Sequence, residues 1–304
     1  MRFVFTPEQT NKIVSSPGLG QGYYDKLETA LEACCSRWKL VDLKLIENFS
    51  MNCLFYCVSE IYGACVLRIS AQDRYWLEWE AGYLQECAGP RVCRVYDADM
   101  EKGCLLLERI GCGMALADVP SPEKRLEVFA SLFNGLHKHP SDPGKFRTYL
   151  SDVSGTADNF RKRPGQERVS FYLDTAEKFC REIQTADGRF MLLHGDLHAG
   201  NILLGADGGY KIIDPFGGYT GAPAFDTAKY FMDEYHDNQE GEIKHYLSDL
   251  IKKMSQLVNI PPDTIAKCFF IGMAMEESWN AVCNALIDFD GIEFAEELFL
   301  EVSR

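Results

Sequence analysis

"HGDLHAGN", residues 194–201, brings two histidines, an aspartate and an asparagine into eight positions. His194, Asp196 and His198 are spaced by two, so on an extended strand they share one face. Imidazole and carboxylate together are ordinary zinc ligands. Asp196 and Asn201 also stand five apart, the Asp-x-x-x-x-Asn spacing of a phosphoryl-transfer loop. Zinc requires a third or fourth ligand, and only "HKH", with His137 and His139, offers one.

The residues that follow favour phosphate. "NILL" (201–204), "GADGG" (205–209) and "YKIID" (210–214) read as a hairpin that stops at Pro215. A hairpin returns its two ends to one place, so Asp214 is expected beside Asn201 and the loop before it. A carboxylate and an amide oxygen are hard ligands suited to Mg²⁺, and a second carboxylate nearby can accept the proton of an attacking hydroxyl. The zinc reading leaves Asn201, the hairpin and Asp214 without a purpose.

The chain has 304 residues, 46% hydrophobic and 25% charged, enough for one large core or two lobes. No apolar run is long enough to span a bilayer, and "MRFVFTPEQTNKIVSSPGLG" contains no signal-peptide core, so a cytoplasmic protein is expected. Its twelve cysteines are scattered, without paired metal-ligand spacing, and read as reduced, buried thiols. A net charge of −14 argues against nucleic acid and anionic membrane as partners. Residues 1–110 carry 12 Lys/Arg against 15 Asp/Glu, and residues 111–304 carry 19 against 30. The surplus of acid in the second half suits a small cationic molecule, or simply aids solubility.

Along the chain, 24–38 reads as a leading helix, with Leu27, Ala30, Leu31 and Cys34 at helical spacing. Residues 43–70 read as three antiparallel strands broken at "ENFSMN" and "IYG". A helix at 74–89 stops at Gly89-Pro90, and two strands follow around "RVCRVYDAD" and "KGCLLLERI". "GCGM" (111–114) reads as a hinge. Beyond it, helices are expected over "PEKRLEVFASLFNGLHKH", "ERVSFYLDTAEKFCREIQTA", "GEIKHYLSDLIKKMSQLV" and "DTIAKCFFIGMAMEESWNAVCNAL". The expected fold is α+β: a five-stranded antiparallel lobe over 1–110, then a mainly helical lobe over 111–304.

"LLHGDLHAGNILL", followed by "YKIIDPFGGYTGAPAFDTAKYF", resembles the catalytic core of the aminoglycoside phosphotransferase family, within the bilobal protein-kinase-like fold. "IDP", "GAPAFD" and the late Ser-Trp of "EESWNAV" are most similar to the branch holding streptomycin 6-kinases and hydroxyurea phosphotransferases. The resemblance implies that Asp196 is the catalytic base. Asn201 and Asp214 would hold Mg²⁺ against the phosphates of ATP, with GTP an open alternative. Asp226 of "AFD" would brace the loop through backbone N–H groups, and His194 and His198 would orient it. In the first lobe Arg68 occupies the strand position of a phosphate-pairing lysine. Glu80 is its expected partner in preference to Glu78.

The phosphate loop "ENFSMNCLF" departs from the kinase pattern by lacking glycine, so Ser50 and Asn52 are the candidates for phosphate contact. Backbone groups of Glu108–Ile110 would meet the purine. Two acidic segments, "DEYHDNQEGE" (233–242) and "DFDGIEFAEE" (288–297), could recognise a cationic acceptor, or form solvated faces. Trp279 could stack on the acceptor or sit in a core. A kinase for a cellular metabolite (choline, a sugar or an amino-sugar) and a catalytically silent pseudokinase are the competing readings.

Overall fold

Alternating burial builds the first sheet. Along β2 (Asn52–Ser59), Cys53, Phe55, Cys57 and Ser59 are buried while the residues between them are more open, the period of a half-buried strand. It pairs antiparallel with β1 (Leu40–Ile46) and with β3 (Gly63–Ser70), the latter in register from Asn52 opposite Ser70 to Ser59 opposite Gly63. The chain leaves through α3 (Arg74–Glu86) and returns as β4 (Val95–Asp99) and β5 (Cys104–Glu108), giving the order β1-β2-β3-β5-β4. Ahead of the sheet lie α1 (Pro7–Ser15) and α2 (Gln21–Trp38). Leu27, Leu31, Cys34 and Trp38 of α2 share a core with Phe55, Leu67 and Ile69 of the strands. The sequence reading passed over α1, although Thr6 and Gln9 form a reciprocal capping box and Pro7 takes the first helical position.

The computed structural model describes residues 3–16, 18–47, 51–71, 74–111, 113–238 and 242–303. Ser50, Cys112 of the expected hinge and part of the acidic segment 233–242 lie outside them. The chain separates into two units, Met1–Cys112 with Gly205–Asp207, and Gly113–Leu204 with Gly208–Arg304.

The second unit is organised around α9 (Pro262–Val282), buried at nearly every position from Ile265 to Ala274. Around it pack α5 (Tyr149–Phe160), α6 (Glu167–Asp187), α7 (Ala228–Asp237), α8 (Ile243–Val258) and α10 (Phe289–Val302), with α4 (Pro122–Phe133) against α8. Three short strands, β6 (Arg147–Thr148), β7 (Met191–Leu193) and β10 (Tyr219–Gly221), form a small sheet in the order β6-β10-β7. β8 (Ile202–Leu204) and β9 (Tyr210–Ile212) make the hairpin after the quoted loop.

Two helical expectations need correction. The helix from Pro122 stops at Phe133, because Asn134 and Gly135 (φ +90°) turn the chain and place His137 and His139 in the following loop. The helix expected to run to Leu286 ends at Val282. The segment starting at Asp233 is not all loop, since α7 continues through Asp237. Eleven cysteines are described, all as free thiols, and nine are buried. No helix among the described residues is long and apolar enough to cross a membrane.

Candidate active site

The loop between β7 and β8 is held from below by a buried carboxylate. Asp226 Oδ2 accepts from His194 N at 2.8 Å and from His137 Nε2 at 2.9 Å, and Oδ1 accepts from Gly195 N at 2.8 Å. Burial alone would push this carboxyl up, but the hydrogen bond and charge of His137 outweigh it and hold the pKa below the usual value. Gly195 sits at φ +77°, and a Cβ there would meet Phe216 O at 2.1 Å, so no other residue fits the turn. His194 is fully buried, with Nε2 2.9 Å from Ile213 O and Nδ1 accepting from Asp196 N at 3.3 Å. That pattern is the neutral Nε2–H tautomer, and burial lowers the imidazole pKa accordingly.

Asp196 is aimed by its neighbour five residues on. Asn201 Nδ2 donates to Asp196 O at 3.0 Å and to Asp196 Oδ2 at 3.1 Å. With the amide nitrogen committed there, Asn201 Oδ1 is the atom left to a cation. Hairpin pairing sets Ile202 opposite Ile212, and Ile213 N donates to Asn201 O at 2.9 Å. Asp214 follows directly, exposed and at φ +56°. A left-handed non-glycine residue costs on the order of 1 kcal/mol and persists where the surroundings over-determine it. Among the described residues no group of three or more His, Cys, Asp and Glu could hold a metal, and His194 has both ring nitrogens engaged. The set Asn201, Asp214 and Asp196 instead offers hard oxygens, which fit Mg²⁺ shared with substrate phosphates.

A third layer comes from α7 and α9. They pack closely at Gly272 of α9, where a Cβ would meet Met232 Sδ at 2.5 Å and Ala228 Cβ at 3.2 Å. Asp233 of α7 accepts His198 Nδ1 at 2.6 Å, and His198 Nε2 lies 3.7 Å from Asp196 Oδ2. Burial lowers the His198 pKa, yet Asp233 and Asp196 together raise it above the usual value. Lys229 Nζ meets Glu276 Oε1 at 2.9 Å, and His236 Nε2 meets Glu276 Oε2 at 3.3 Å. Several carboxylates of the two acidic segments have partners within the fold. Glu234 takes a bidentate Arg125 (2.7 and 2.9 Å) and the Tyr246 hydroxyl. Glu293 pairs with Arg168, Glu297 pairs with Lys244, and Asp288 caps α10 through Gly291 N. Trp279 is 63% exposed, not a core residue.

In the first unit Arg68 and Glu80 form a buried ion pair, whereas Glu78 pairs with Arg74 at 2.6 Å. In the amide orientation that satisfies its neighbours, Asn52 Oδ1 accepts from Arg68 Nη2 at 2.8 Å and Nδ2 donates to Ser70 Oγ at 2.9 Å. Asn52, expected at the phosphate, is thus turned onto Arg68. Glu108 Oε2 accepts from Arg94 N at 3.2 Å, its own N–H donates to Arg94 O at 2.8 Å, and Ile110 is buried.

His137 and Asp233 read in the sequence as a possible zinc ligand and as part of an acidic acceptor wall, and sequence reasoning missed their contacts with Asp226 and His198. Their partners stand 89 and 35 residues away, and no spacing rule reaches so far.

A mixed sheet-and-helix chain with an Asp-x-x-x-x-Asn loop feeding a hairpin defines a phosphotransferase of the protein-kinase-like fold. Solved structures share that fold at low identity. The choline kinase LicA from Streptococcus pneumoniae superposes with a TM-score of 0.63 at 13% identity, over 91% of this chain and 99% of that one. A thermostable mutant of aminoglycoside phosphotransferase APH(4)-Ia, in a ternary complex with ADP and hygromycin B, gives 0.57 at 14%, over 89% and 96%. Residues 37–279 match the model of the aminoglycoside/hydroxyurea antibiotic resistance kinases, and the chain belongs to that family. Streptomycin 6-kinase of Streptomyces griseus is 27% identical over 149 residues, 47% of each chain, so the match spans about half the length of that relative.

Proposed function

We propose that this protein transfers the γ-phosphate of ATP to a hydroxyl of a small-molecule acceptor. The observation that carries the reading is the pair of hydrogen bonds from Asn201 that fixes Asp196 at the end of the hairpin bearing Asp214. Asp196, so aimed, takes the proton of the acceptor hydroxyl as its oxygen attacks phosphorus. Asn201 and Asp214 would hold Mg²⁺, which supplies charge neutralisation for the nucleotide phosphates. Asp226 keeps His194 and Gly195 in place, so that the loop arrives at the reaction already ordered. The first unit would serve the nucleotide, with Glu80 and Asn52 fixing Arg68 as its cation.

Family membership supports phosphoryl transfer, and relatives of this fold solved with ADP and AMP-PNP support ATP as donor. The named substrates of the relatives, streptomycin, hygromycin B and choline, supply the first acceptors to screen, together with hydroxyurea.

The test combines calorimetry of ATP and GTP, with and without Mg²⁺, and ADP release on that panel. Mg²⁺-dependent ATP binding with acceptor-stimulated ADP release is the expected result. Asp196→Asn should lower turnover by about 10²–10⁴ while leaving nucleotide binding near its original strength. An Asp196→Asn enzyme with full turnover on a verified acceptor would remove the mechanism. Nucleotide binding with no turnover on any acceptor would point to the pseudokinase.

A further inference from the structure

We propose that Lys229 determines acceptor specificity, by closing the ground beside Asp196 to polycations and selecting acceptors without net positive charge. The inference rests on the reading of Asp196 as the base.

Lys229, Asp233 and His236 follow one another at four and three residues along α7, so they share one face of that helix. Glu276 of α9 joins the same face through Lys229 Nζ and His236 Nε2. Asp233 is tied to His198, which itself lies 3.7 Å from Asp196. Three carboxylates (Asp196, Asp233 and Glu276) therefore stand with one ammonium and two imidazoles. A receptor for a polyamine needs carboxylates whose charge is not already answered. Here each of the flanking carboxylates has an internal partner within hydrogen-bonding distance, His198 for Asp233 and Lys229 with His236 for Glu276. In the wider acid, Glu234 is committed to Arg125 in a buried pair, and Glu293 and Glu297 meet Arg168 and Lys244 at the surface.

Lys229 is the decisive member because it is the one group of the set with a permanent positive charge. Its ammonium feels Asp196 and Asp233 as well as Glu276, so it opposes any cation brought to the same carboxylates. One helical turn beyond Glu276, exposed Trp279 offers a flat apolar face. A polar but uncharged compound suits a wall of cancelling charges and an indole better than a polycation does.

The test is streptomycin binding by calorimetry at low and moderate salt, on the full chain and on Lys229→Met, Lys229→Gln and Lys229→Arg. Asp196→Asn turnover is measured in parallel, so a failure of the kinase reading is seen separately. Wild type and Lys229→Arg should bind streptomycin weakly. Lys229→Met and Lys229→Gln, with Glu276 freed of its ammonium, should bind it on the order of tenfold or more tightly, with a gain that shrinks as salt rises. Adding Glu276→Gln to Lys229→Met should abolish the gain. Tight streptomycin binding by the wild type, or no gain in either uncharged variant, overturns the proposal.

Discussion

Replacing Asp226 with asparagine isolates the carboxylate beneath the loop that carries Asp196. Asp226 is 3% exposed and receives three donors, the N–H groups of His194 and Gly195 and the His137 ring nitrogen. Asparagine keeps one acceptor oxygen and puts an NH₂ where the other stood, so at least one buried donor loses its acceptor. An unsatisfied buried donor costs about 1–3 kcal/mol, and more where charge is involved. About 3 kcal/mol is the expected loss, a fall in Tm of roughly 6–12 °C for a unit of this size. Local opening should rise too, so exchange of the His194 and Gly195 amides should speed by about two orders of magnitude.

The pH dependence gives a second check on the same change. Because the folded carboxyl is held below its unfolded value of 3.8, its contribution is present above that value and lost as pH falls through the lower folded one. The stability gap between wild type and Asp226→Asn should therefore still be present at about pH 5 and close below about 4. A Tm shift under about 2 °C, with amide exchange unchanged, would refute the claim that Asp226 orders the loop.

Other residues give independent tests. Arg125→Ala strands Glu234, 4% exposed at the side chain, with Tyr246 as a lesser partner; the expected cost is about 3–5 kcal/mol in denaturant unfolding. His236 is raised above the usual histidine value by its hydrogen bond to Glu276, against the opposing effects of burial and Lys229. Its contribution is complete below the unfolded pKa and lost as pH rises through the raised folded one, so Glu276→Gln should move its NMR titration downward. Asp214→Gly should relieve the left-handed strain at φ +56° and stabilise the fold by about 1 kcal/mol in thermal unfolding. The same change should weaken Mg²⁺-dependent nucleotide binding, which separates the structural cost of Asp214 from its use.

Much of the architecture was legible in one dimension because its signals are local. Alternation in "NCLFYCVS" marks β2, the "GADGG" turn joins the strands of the hairpin, and the Asp196 to Asn201 spacing marks the loop. The strands β6, β7 and β10 were not legible, since two or three residues carry no period. The end of the helix at Phe133 was overlooked despite Asn134-Gly135, because the apolar pattern carried the reading past a turn signal.

The sequence by itself determined the chemistry at hand, an aspartate, an asparagine and a second aspartate delivered to one place by a hairpin, because their spacing is short and the turn is coded beside them. Only the tertiary structure decided which charges remain available around them. His137 reaches Asp226, Asp233 reaches His198, Asn52 turns onto Arg68, and Glu234 spends its charge on Arg125. An acidic run shows how much charge a segment carries. Whether that charge faces a ligand or an internal cation depends on helices packed from distant parts of the chain.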